Sequence, residues 1–294
     1  MRRYGEKGSK MVKILVILFF LGILFILWQK WELTKFEVTD YAVMSEKIKK
    51  AHRAIVITDL HGFTYGKKNQ HLLEKIKDCN PEMILIPGDL IVSKYSDTFG
   101  TALELLKELV KIAPVYYSFG NHETRLRSPE KMNHCAFQNY VEEAEKIGVK
   151  ILNNKSFLVL ELENIRIIGL ELPVGYYEKG RIVPMKSDVL EDLLPMPEKN
   201  DYVILLAHNP AYAEYYAKWG ADVTFCGHNH GGLIRIPGIG SLLSPQLTLF
   251  PKYDAGKFQK EGKDIIVSRG LGTHTFHIRI FNRAELLNIQ FLPK

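Results

Sequence analysis

Short apolar segments, each followed directly by aspartate, asparagine or histidine, constrain this 294-residue chain more than any other feature. Five such groups follow predicted strands: Asp59-Leu60-His61, Gly88-Asp89, Gly120-Asn121-His122-Glu123, His208 and Gly227-His228-Asn229-His230. In an open sheet of parallel strands, the carboxyl ends of the strands line the ligand crevice. We therefore expect these polar side chains to converge at one sheet edge.

The periodicity of apolar residues predicts the elements around these groups. Strands are predicted at residues 54–58, 83–87, 115–119, 156–161, 165–170, 202–207, 223–226, 265–268, 277–281 and 286–291. Helices are predicted at residues 69–77, 98–112, 129–147 and 210–219. Alternation of strands and helices followed by a strand-rich second half predicts an α/β fold, a four-layer α/β/β/α sandwich of two packed sheets with helices outside.

The first 50 residues have a different character from the rest. Residues 1–13 form a basic tail, residues 14–29 a predicted transmembrane anchor, and residues 30–50 a charged linker with an extended stretch at 36–38. Residues 51–294 are predicted to form one domain. With 46% hydrophobic residues, the chain has enough apolar side chains for a full core.

Residues 14–28 are apolar without a break, and Met11 and Val12 extend the run to 18 residues if Lys13 snorkels. The shorter count also fits a signal peptide, but residues 29–33 contain no small-x-small cleavage site. A buried core helix is disfavoured because the run has no polar face. Trp28 and Trp31 are typical interfacial aromatics, and the basic residues before the span predict a cytoplasmic N-terminus and an extracytoplasmic domain.

The net charge of +6 is concentrated at the N-terminus. Five basic residues against Glu6 place +4 ahead of residue 14, which leaves +2 for the rest of the chain. Such a nearly neutral body argues against a nucleic-acid partner, which favours a basic stripe on the folded surface. Three cysteines are too few, and odd in number, for a disulfide framework.

The polar groups after the strands have the composition of a metal site. Asp59 and His61 are two positions apart in a segment predicted to be extended, so their side chains point to one side, and His228 and His230 repeat this spacing. Two carboxylates, one amide and four imidazoles suit manganese, iron, zinc or cobalt better than calcium. Seven ligands exceed the needs of one ion, whereas two ions that share a carboxylate use all seven and serve hydrolytic phosphoryl transfer.

The ordered motifs resemble those of the calcineurin-like metallophosphoesterases, with all five blocks present between residues 59 and 230. Residues 231–237, 250–253 and 268–272 resemble a membrane-associated branch that includes UDP-2,3-diacylglucosamine pyrophosphatases and related phosphodiesterases. The resemblance implies one metal held by Asp59, His61, Asp89 and His230, and a second held by Asp89, Asn121, His208 and His228. It also implies that a metal-bound hydroxide attacks phosphorus and that His122 protonates the leaving group.

Two positions depart from the family pattern. Val92 stands where many relatives carry an acidic residue or asparagine, so another group must orient His122, and the protein Ser/Thr phosphatase branch is disfavoured. Leu233 stands where the branch usually has glutamine. Further candidates for substrate binding lie near the motifs, with solvated surface positions as the alternative: Arg125, Arg127, Arg235, Arg269, His274 and His277.

The sequence therefore predicts a membrane-anchored, dinuclear metal-dependent phosphoesterase. Its cofactors would be two divalent or trivalent ions, manganese before iron, zinc or cobalt. Its partners would be the lipid bilayer, through the N-terminal helix, and a lipid-linked, cell-envelope or small phosphorylated substrate with a phosphodiester or pyrophosphate bond. The alternatives are an inactive scaffold with the same fold, disfavoured because every ligand position is intact, and a nuclease of the same superfamily, disfavoured by the small charge of the body.

Overall fold

The computed structural model describes residues 2–162, 164–244, 248–273 and 277–294, with side chains described from residue 11 onward. Its α-helices within these ranges are α1 Arg2–Leu33, α2 Gln70–Asp78, α3 Asp97–Leu109, α4 Asn121–Leu126, α5 His134–Lys146, α6 Val189–Leu193 and α7 Ala213–Trp219. Short 3-10 helices occur at Lys67–Asn69, Leu160–Leu162, Val174–Tyr177 and Pro210–Tyr212.

The strands form two large sheets and one small hairpin. Their bounds are β1 Phe36–Ser45, β2 His52–Val56, β3 Met83–Ile86, β4 Val115–Tyr117, β5 Lys150–Ile151, β6 Lys155–Val159, β7 Ile165–Leu170, β8 Tyr202–Ala207, β9 Val223–Cys226, β10 Ile234–Ile236, β11 Gly240–Leu243, β12 Gly256–Lys260, β13 Lys263–Val267 and β14 Ala284–Pro293. The first sheet has the order β1-β14-β2-β3-β4-β5, the second β12-β13-β9-β8-β7-β6, and β10 pairs with β11.

Three apolar clusters show that the architecture is the predicted four-layer α/β/β/α sandwich. One cluster lies between the first sheet and helices α2, α3 and α5, and includes Leu72, Leu105 and Tyr140. A second fills the space between the two sheets. A third lies between the second sheet and helices α6 and α7, and includes Leu190 and Tyr216.

Strands β2, β3 and β4 run parallel, as do β7, β8, β9 and β13. Each central strand is buried on both faces, because a helix layer covers one face and the other sheet covers the other. The carboxyl ends of β2, β3, β4, β8 and β9 carry the polar motifs. Because these strands run parallel within each sheet, the motifs lie together at one end of the sandwich.

Two sequence predictions about strands need correction. The extended stretch at residues 36–38 is the start of β1, a ten-residue edge strand that pairs with β14 over its whole length, so the first sheet begins ahead of residue 51. Its polar outer face hides it from a search for apolar runs. Residues 277–281 do not form the predicted strand, and Ile280 makes only an isolated bridge with Ile234.

Helix α1 is longer than the predicted span. It begins at Arg2, within the predicted basic tail, and runs to Leu33. From Met11 to Leu33 it is long and apolar enough to cross a bilayer, and the domain buries none of its most apolar window.

Helix α7 has the beginning and the end that the sequence predicted. It follows a turn capped by Asn209, whose side chain accepts a hydrogen bond from the Ala211 backbone N–H. It ends at Gly220, which has a φ of 117°.

Candidate active site

The motifs after the strands converge into three overlapping clusters of buried side chains. In each cluster, potential ligand atoms lie within 4.8 Å of one another. The clusters are Asp59, His61 and His230; His61, Asp89 and His122; and Asp89, His208 and His228. The sequence predicted this convergence, and Asn121 lies beside the third cluster.

Asp89 occupies the centre of the site. Its Oδ2 lies 3.0 Å from Nε2 of His208 and 4.0 Å from Nε2 of His61. On the outer side of His61, the Nε2 atoms of His61 and His230 are 3.2 Å apart, and Nε2 of His230 is 3.5 Å from Oδ1 of Asp59. Ligand atoms that share an ion at about 2 Å lie about 3–4 Å from one another. The observed separations match that geometry, with Asp89 facing both groups.

Backbone carbonyls fix the orientation of three imidazoles. Nδ1 of His208 lies 3.1 Å from the carbonyl oxygen of Pro87, and Nδ1 of His230 lies 3.1 Å from that of Gly272. Nδ1 of His61 makes a longer contact of 3.4 Å with the carbonyl of Ile91. Because a carbonyl can only accept, each Nδ1 carries a hydrogen, and in the neutral imidazole that binds a metal the Nε2 lone pair then points into the site.

The backbone reaches this arrangement through left-handed residues, not through the extended segments expected from the sequence. The φ angles are 51° at Asp59, 52° at His61, 56° at Asp89, 69° at His228 and 50° at His230. Left-handed residues other than glycine are uncommon and cluster at functional sites. The Asp59 and His61 side chains still meet in one cluster, as their spacing predicts. His228 and His230 do not share a cluster, because the turn between them directs the two imidazoles into different clusters.

Glycines provide the space that the carboxylates occupy. A Cβ on Gly227 would lie 2.2 Å from Oδ2 of Asp59, and a Cβ on Gly120 would lie 2.3 Å from Oδ1 of Asp89. The backbone N–H of His228 also donates to Asp59, at 3.1 Å from Oδ1. The residue after each glycine can therefore approach a carboxylate that belongs to a different strand end.

Asn121 lies between the third cluster and an arginine. One end of its amide is 2.7 Å from Nδ1 of His228, and the other end is 2.8 Å from Nη1 of Arg125. With the nitrogen toward His228, hydrogen bonds satisfy the amide. With the oxygen toward His228, Asn121 presents the oxygen ligand that the family motif requires.

Glu123 is a functional residue for which the sequence analysis assigned no role. Its buried carboxylate accepts hydrogen bonds from the backbone N–H groups of Asp89 at 3.0 Å, Leu90 at 2.9 Å and Gly120 at 3.0 Å, and from the Tyr117 hydroxyl at 2.7 Å. It therefore ties the turn that carries Asp89 to the turn that carries Asn121. An acidic residue three positions after the glycine that precedes a helix is a sequence signal for such a role.

The electrostatics of the site favour positive charge beside the carboxylates. Burial opposes ionisation of Asp89, but His208, His122 and His61 together hold its pKa well below the ordinary value. Burial also lowers the pKa of His208, yet the charges of Asp89 and Asp59 outweigh it and raise that pKa to about 9. The pKa values of His228 and His230 are lowered, chiefly by burial, which favours the neutral imidazoles that bind metals.

Ser93 orients His122 in place of the acidic residue or asparagine that Val92 replaces. The backbone N–H of Ser93 donates to Nδ1 of His122 at 3.0 Å, and its hydroxyl lies 3.1 Å from the same atom. Because Nδ1 accepts the backbone hydrogen, Nε2 of the neutral imidazole carries the proton. Burial lowers the pKa of His122 and keeps it in that neutral form. The orienting group is thus one position beyond Val92.

The candidate arginines divide into two groups. Arg125 lies at the site, against Asn121. Arg127 pairs with Glu171, Arg235 pairs with Asp254, and Arg269 pairs with Glu37 and Glu285. In this structure those three side chains bind acids of the domain, of which Glu171 and Glu285 are buried. His277 contacts Thr273, and His274 lies outside the described residues.

A cavity of about 300 Å³ opens beside the third cluster. His228 and Tyr177 form its inner wall, with ring centroids 5.2 Å apart, and Tyr176, Tyr212 and Tyr215 continue the lining outward. Tyr216 is fully buried in the outer core, whereas Tyr212 and Tyr215 also face this cavity.

Comparison with known proteins identifies the family. The model of the calcineurin-like phosphoesterases matches residues 52–232. The chain is 27% identical over 213 residues to phosphodiesterase YaeI of Escherichia coli, which covers 72% of this chain and 71% of that protein. It is 25% identical to a transmembrane protein with a metallophosphoesterase domain from Danio rerio, over 86% of this chain and 56% of that protein. It is 24% identical to the UDP-2,3-diacylglucosamine pyrophosphatase LpxG of Chlamydia muridarum, over 80% of this chain and 82% of that protein.

The chain therefore belongs to the calcineurin-like phosphoesterase family, as its motifs predicted, and is a hydrolase of phosphoesters. Membership of the family implies a dinuclear divalent metal centre. The donor set fits such a centre, because buried carboxylates meet imidazoles whose Nε2 atoms point inward. Nε2 of His208 lies 3.0 Å from Oδ2 of Asp89, as expected of two ligands that face a common ion.

Proposed function

We propose that this chain is a membrane-anchored, dinuclear metal-dependent phosphoesterase that hydrolyses a phosphodiester or pyrophosphate bond of a lipid-linked or cell-envelope substrate. The observation that carries the proposal is the convergence of the strand-end motifs on Asp89, with ligand-to-ligand distances of 3.0–4.0 Å. An inactive scaffold would have no need to keep these buried charges together.

The proposed ligands divide into two sets that share Asp89. Asp59, His61, Asp89 and His230 would hold one ion, and Asp89, Asn121, His208 and His228 the other; the position of Asp89 Oδ2 between His208 and His61 supports this division. Bound divalent ions, manganese in our proposal, would supply a nucleophilic water and neutralise charge on the phosphoryl oxygens. Iron, zinc and cobalt suit the same donors.

His122 is the proposed proton donor to the leaving oxygen. Ser93 occupies Nδ1 with a backbone N–H, so the hydrogen on Nε2 is available to the departing group. We assign Arg125 a contact with a phosphoryl oxygen, because its guanidinium lies next to Asn121 at the same cluster. The tyrosine-lined cavity beside His228 would receive the part of the substrate attached to the phosphorus.

Helix α1 is the proposed membrane span. At about 1.5 Å per residue, its 23 apolar-rich residues from Met11 to Leu33 extend about 35 Å, enough for a hydrocarbon core of about 30 Å. The basic residues before it support a cytoplasmic N-terminus and an extracytoplasmic catalytic domain. A relative named as a transmembrane protein and another named as a pyrophosphatase of a diacylated sugar nucleotide, UDP-2,3-diacylglucosamine, support a membrane-linked substrate.

The test measures turnover by the full chain in detergent micelles supplied with Mn²⁺. A bis-aryl phosphodiester, an aryl phosphomonoester and a diester of pyrophosphate are compared, and bound metal is determined by mass spectrometry. We expect about two metal ions per chain and hydrolysis of the diester or the pyrophosphate diester in preference to the monoester. Asp89→Asn should abolish turnover and reduce bound metal. Asp78→Asn, which changes an exposed carboxylate paired with Lys75, is the matched control and should change neither.

Contrary outcomes separate the alternatives. A full chain that binds no metal and hydrolyses none of the substrates would favour the scaffold. Nicking of plasmid DNA that requires Mn²⁺ and is lost in Asp89→Asn would favour the nuclease. A preference for the monoester would contradict the proposed bond type but leave the dinuclear mechanism in place.

A further inference from the structure

The strand register puts the end of helix α1 at the active-site edge of the first sheet. Strand β1 starts at Phe36, three residues after α1 ends, and Phe36 pairs with Ala284, the first residue of β14. Strand β14 runs antiparallel to β2 and pairs Leu287 with Val56. The beginning of β1 therefore lies beside the carboxyl end of β2, from which the chain enters the turn that carries Asp59.

Two contacts fasten the end of α1 to the segment next to the site. The Gln29 amide accepts from the Arg279 backbone N–H at 2.9 Å and donates to its carbonyl at 3.2 Å. Glu32 accepts two hydrogen bonds from Arg283, each 2.8 Å long. The buried Arg279 guanidinium in turn donates to the Gly272 carbonyl, at 2.9 Å. That same carbonyl holds Nδ1 of His230, so a short chain of contacts joins the helix to the site.

The rest of the helix leaves the domain. Residues 11–28 are exposed along their whole length, so the domain packs only against the final turns of α1. Since those turns meet the domain at the active-site edge, the apolar part of α1 extends away from that edge. A bilayer crossed by α1 would therefore lie on the active-site side of the domain and not on the opposite side.

Exposed apolar side chains continue this edge beyond the helix. Phe281 is 71% exposed and shares a cavity of about 420 Å³ with Trp28 and Trp31 of α1. Its neighbour Ile280 bridges to β10 of the small hairpin, and Ile239, at the turn of that hairpin, is 70% exposed. Strand β11 bridges onward to the segment that carries the exposed Phe250. Clustered exposed apolar groups of this kind mark interaction surfaces.

We propose that this edge of the domain rests on the membrane surface, with Phe281, Ile239 and Phe250 in the interfacial layer. The site then faces phosphoesters in the head-group region of the leaflet next to it. The inference rests on the proposed membrane span of α1. A bilayer is the occupant that the structure favours, because Phe281 adjoins Trp28 and Trp31, at the end of the apolar run where interfacial aromatics are expected.

The test compares a tryptophan at the active-site edge of the first sheet with a tryptophan at the opposite edge. The full chain is reconstituted into phosphatidylcholine vesicles with or without brominated acyl chains, which quench tryptophan within the bilayer. Phe281→Trp reports the active-site edge. Met44→Trp is the matched control, because Met44 is 58% exposed and pairs with Leu292 at the far end of β1. We expect brominated lipid to remove the emission added at position 281 and to leave the emission added at position 44.

A second arm measures turnover. The double variant Phe281→Ser and Ile239→Ser should lower hydrolysis of an aryl phosphodiester carrying a long alkyl chain in vesicles, but not hydrolysis of a soluble bis-aryl phosphodiester. Met44→Ser should lower neither. An equal loss on both substrates would contradict the inference, because it would indicate damage to the site and not loss of membrane contact.

The outcomes separate this inference from the proposal on which it rests. If Trp28 and Trp31 are quenched while a tryptophan at 281 is not, α1 spans the bilayer but the active-site edge does not lie on it, and the inference fails alone. If Trp28 and Trp31 are not quenched, the membrane span fails and the inference fails with it. A tryptophan at 281 that is shielded in a dimer and not by lipid would identify a second copy as the occupant and overturn the inference.

Discussion

The two sheets contribute different mixtures of groups to one site. The first sheet supplies the proposed oxygen ligands Asp59, Asp89 and Asn121 together with the imidazole of His61, whereas the groups from the second are the imidazoles of His208, His228 and His230. Backbone groups of each sheet also orient side chains from the other. The carbonyl of Pro87, after β3, orients His208, and the backbone N–H of His228, after β9, donates to Asp59. The comparison teaches that the ligand geometry exists only when the two sheets are packed together.

The largest effect should come from separating the two sheets where Gly227 packs against Asp59. In Gly227→Ala, the new Cβ would lie 2.2 Å from Asp59 Oδ2 and from Thr58 Oγ1, so one strand end must move. We expect a loss of about 1–3 kcal/mol in the free energy of unfolding, with loss of bound metal and of activity. Urea denaturation and metal analysis measure these changes.

Gly100→Ala is the matched control for that change. Gly100 lies in helix α3, and a Cβ there meets nothing within 4 Å. The substitution should raise the free energy of unfolding by about 0.5–1 kcal/mol, because alanine favours the helix over the unfolded chain. If Gly227→Ala kept its metal and its stability, the two sheets would tolerate separation and the comparison would be wrong.

A smaller loss of activity and metal affinity is expected when the change affects only Glu123, which supports the turn that carries Asp89 in the first sheet. Glu123→Gln keeps the shape of the side chain but replaces one acceptor oxygen with a donor that faces backbone N–H groups. Loss of such a supporting contact typically lowers activity or metal affinity by about 10–100-fold. Steady-state kinetics across a titration of Mn²⁺ measures both. Glu104→Gln, at an exposed glutamate near Lys68, should leave both unchanged.

If Glu123→Gln had wild-type metal affinity and turnover, the oxygen ligands of the first sheet would not depend on Glu123. Loss of folding in this variant is a separate result, which circular dichroism detects. Glu123→Asp then tests the same contact, because it retains the carboxyl group and shortens its reach.

The smallest effect is expected at Ser93, which contacts His122, the proposed proton donor. Ser93→Ala removes the hydroxyl near Nδ1 of His122 but keeps the backbone N–H that donates to it. We expect kcat to fall by about fivefold, the equivalent of one hydrogen bond of about 1 kcal/mol. The fall should grow as the pKa of the leaving alcohol rises, because poorer leaving groups need the proton more.

A set of aryl phosphodiesters with graded leaving groups measures this dependence. A uniform decrease across the set would mean that Ser93 acts on the fold of the site and not on proton donation by His122. Ser96→Ala, three residues further along the chain at the start of α3, serves as the control and should leave the dependence unchanged.

Most of the fold could be predicted from local patterns. Strands β3 and β8 are unbroken apolar runs, and the cap of Asn209 and the stop at Gly220 follow from local backbone chemistry. The edge strand β1 could not be recognised over its full length, because its partner β14 lies about 250 residues later and its outer face is polar. Residues 277–281 were predicted as a strand, whereas Arg279 is buried and binds carbonyls near the site.

The sequence predicted the candidate metal ligands of the site, but it did not predict the geometry of the site or the residues that support the ligands. The motifs identify which side chains follow which strands, and the structure brings them together. The left-handed turns at Asp59, His61 and Asp89 depend on contacts between strand ends, such as the hydrogen bond from the Asp59 backbone N–H to the Gly88 carbonyl at 3.1 Å. Glu123 and Ser93 act on residues about 30 positions away, and spacing along the chain does not reveal such contacts.

The sequence by itself determined the family, the order of the layers and the chemical types that meet at the site, because strand periodicity and turn chemistry are local properties of the chain. Only the tertiary structure decided which nitrogen of each imidazole faces inward, which residue orients His122, and where α1 joins the domain. Those features depend on hydrogen bonds such as His208 to Pro87 and Gln29 to Arg279, whose partners are 121 and 250 positions apart. Packing of the two sheets brings His208 to Pro87, and pairing of β1 with β14 brings the end of α1 to Arg279.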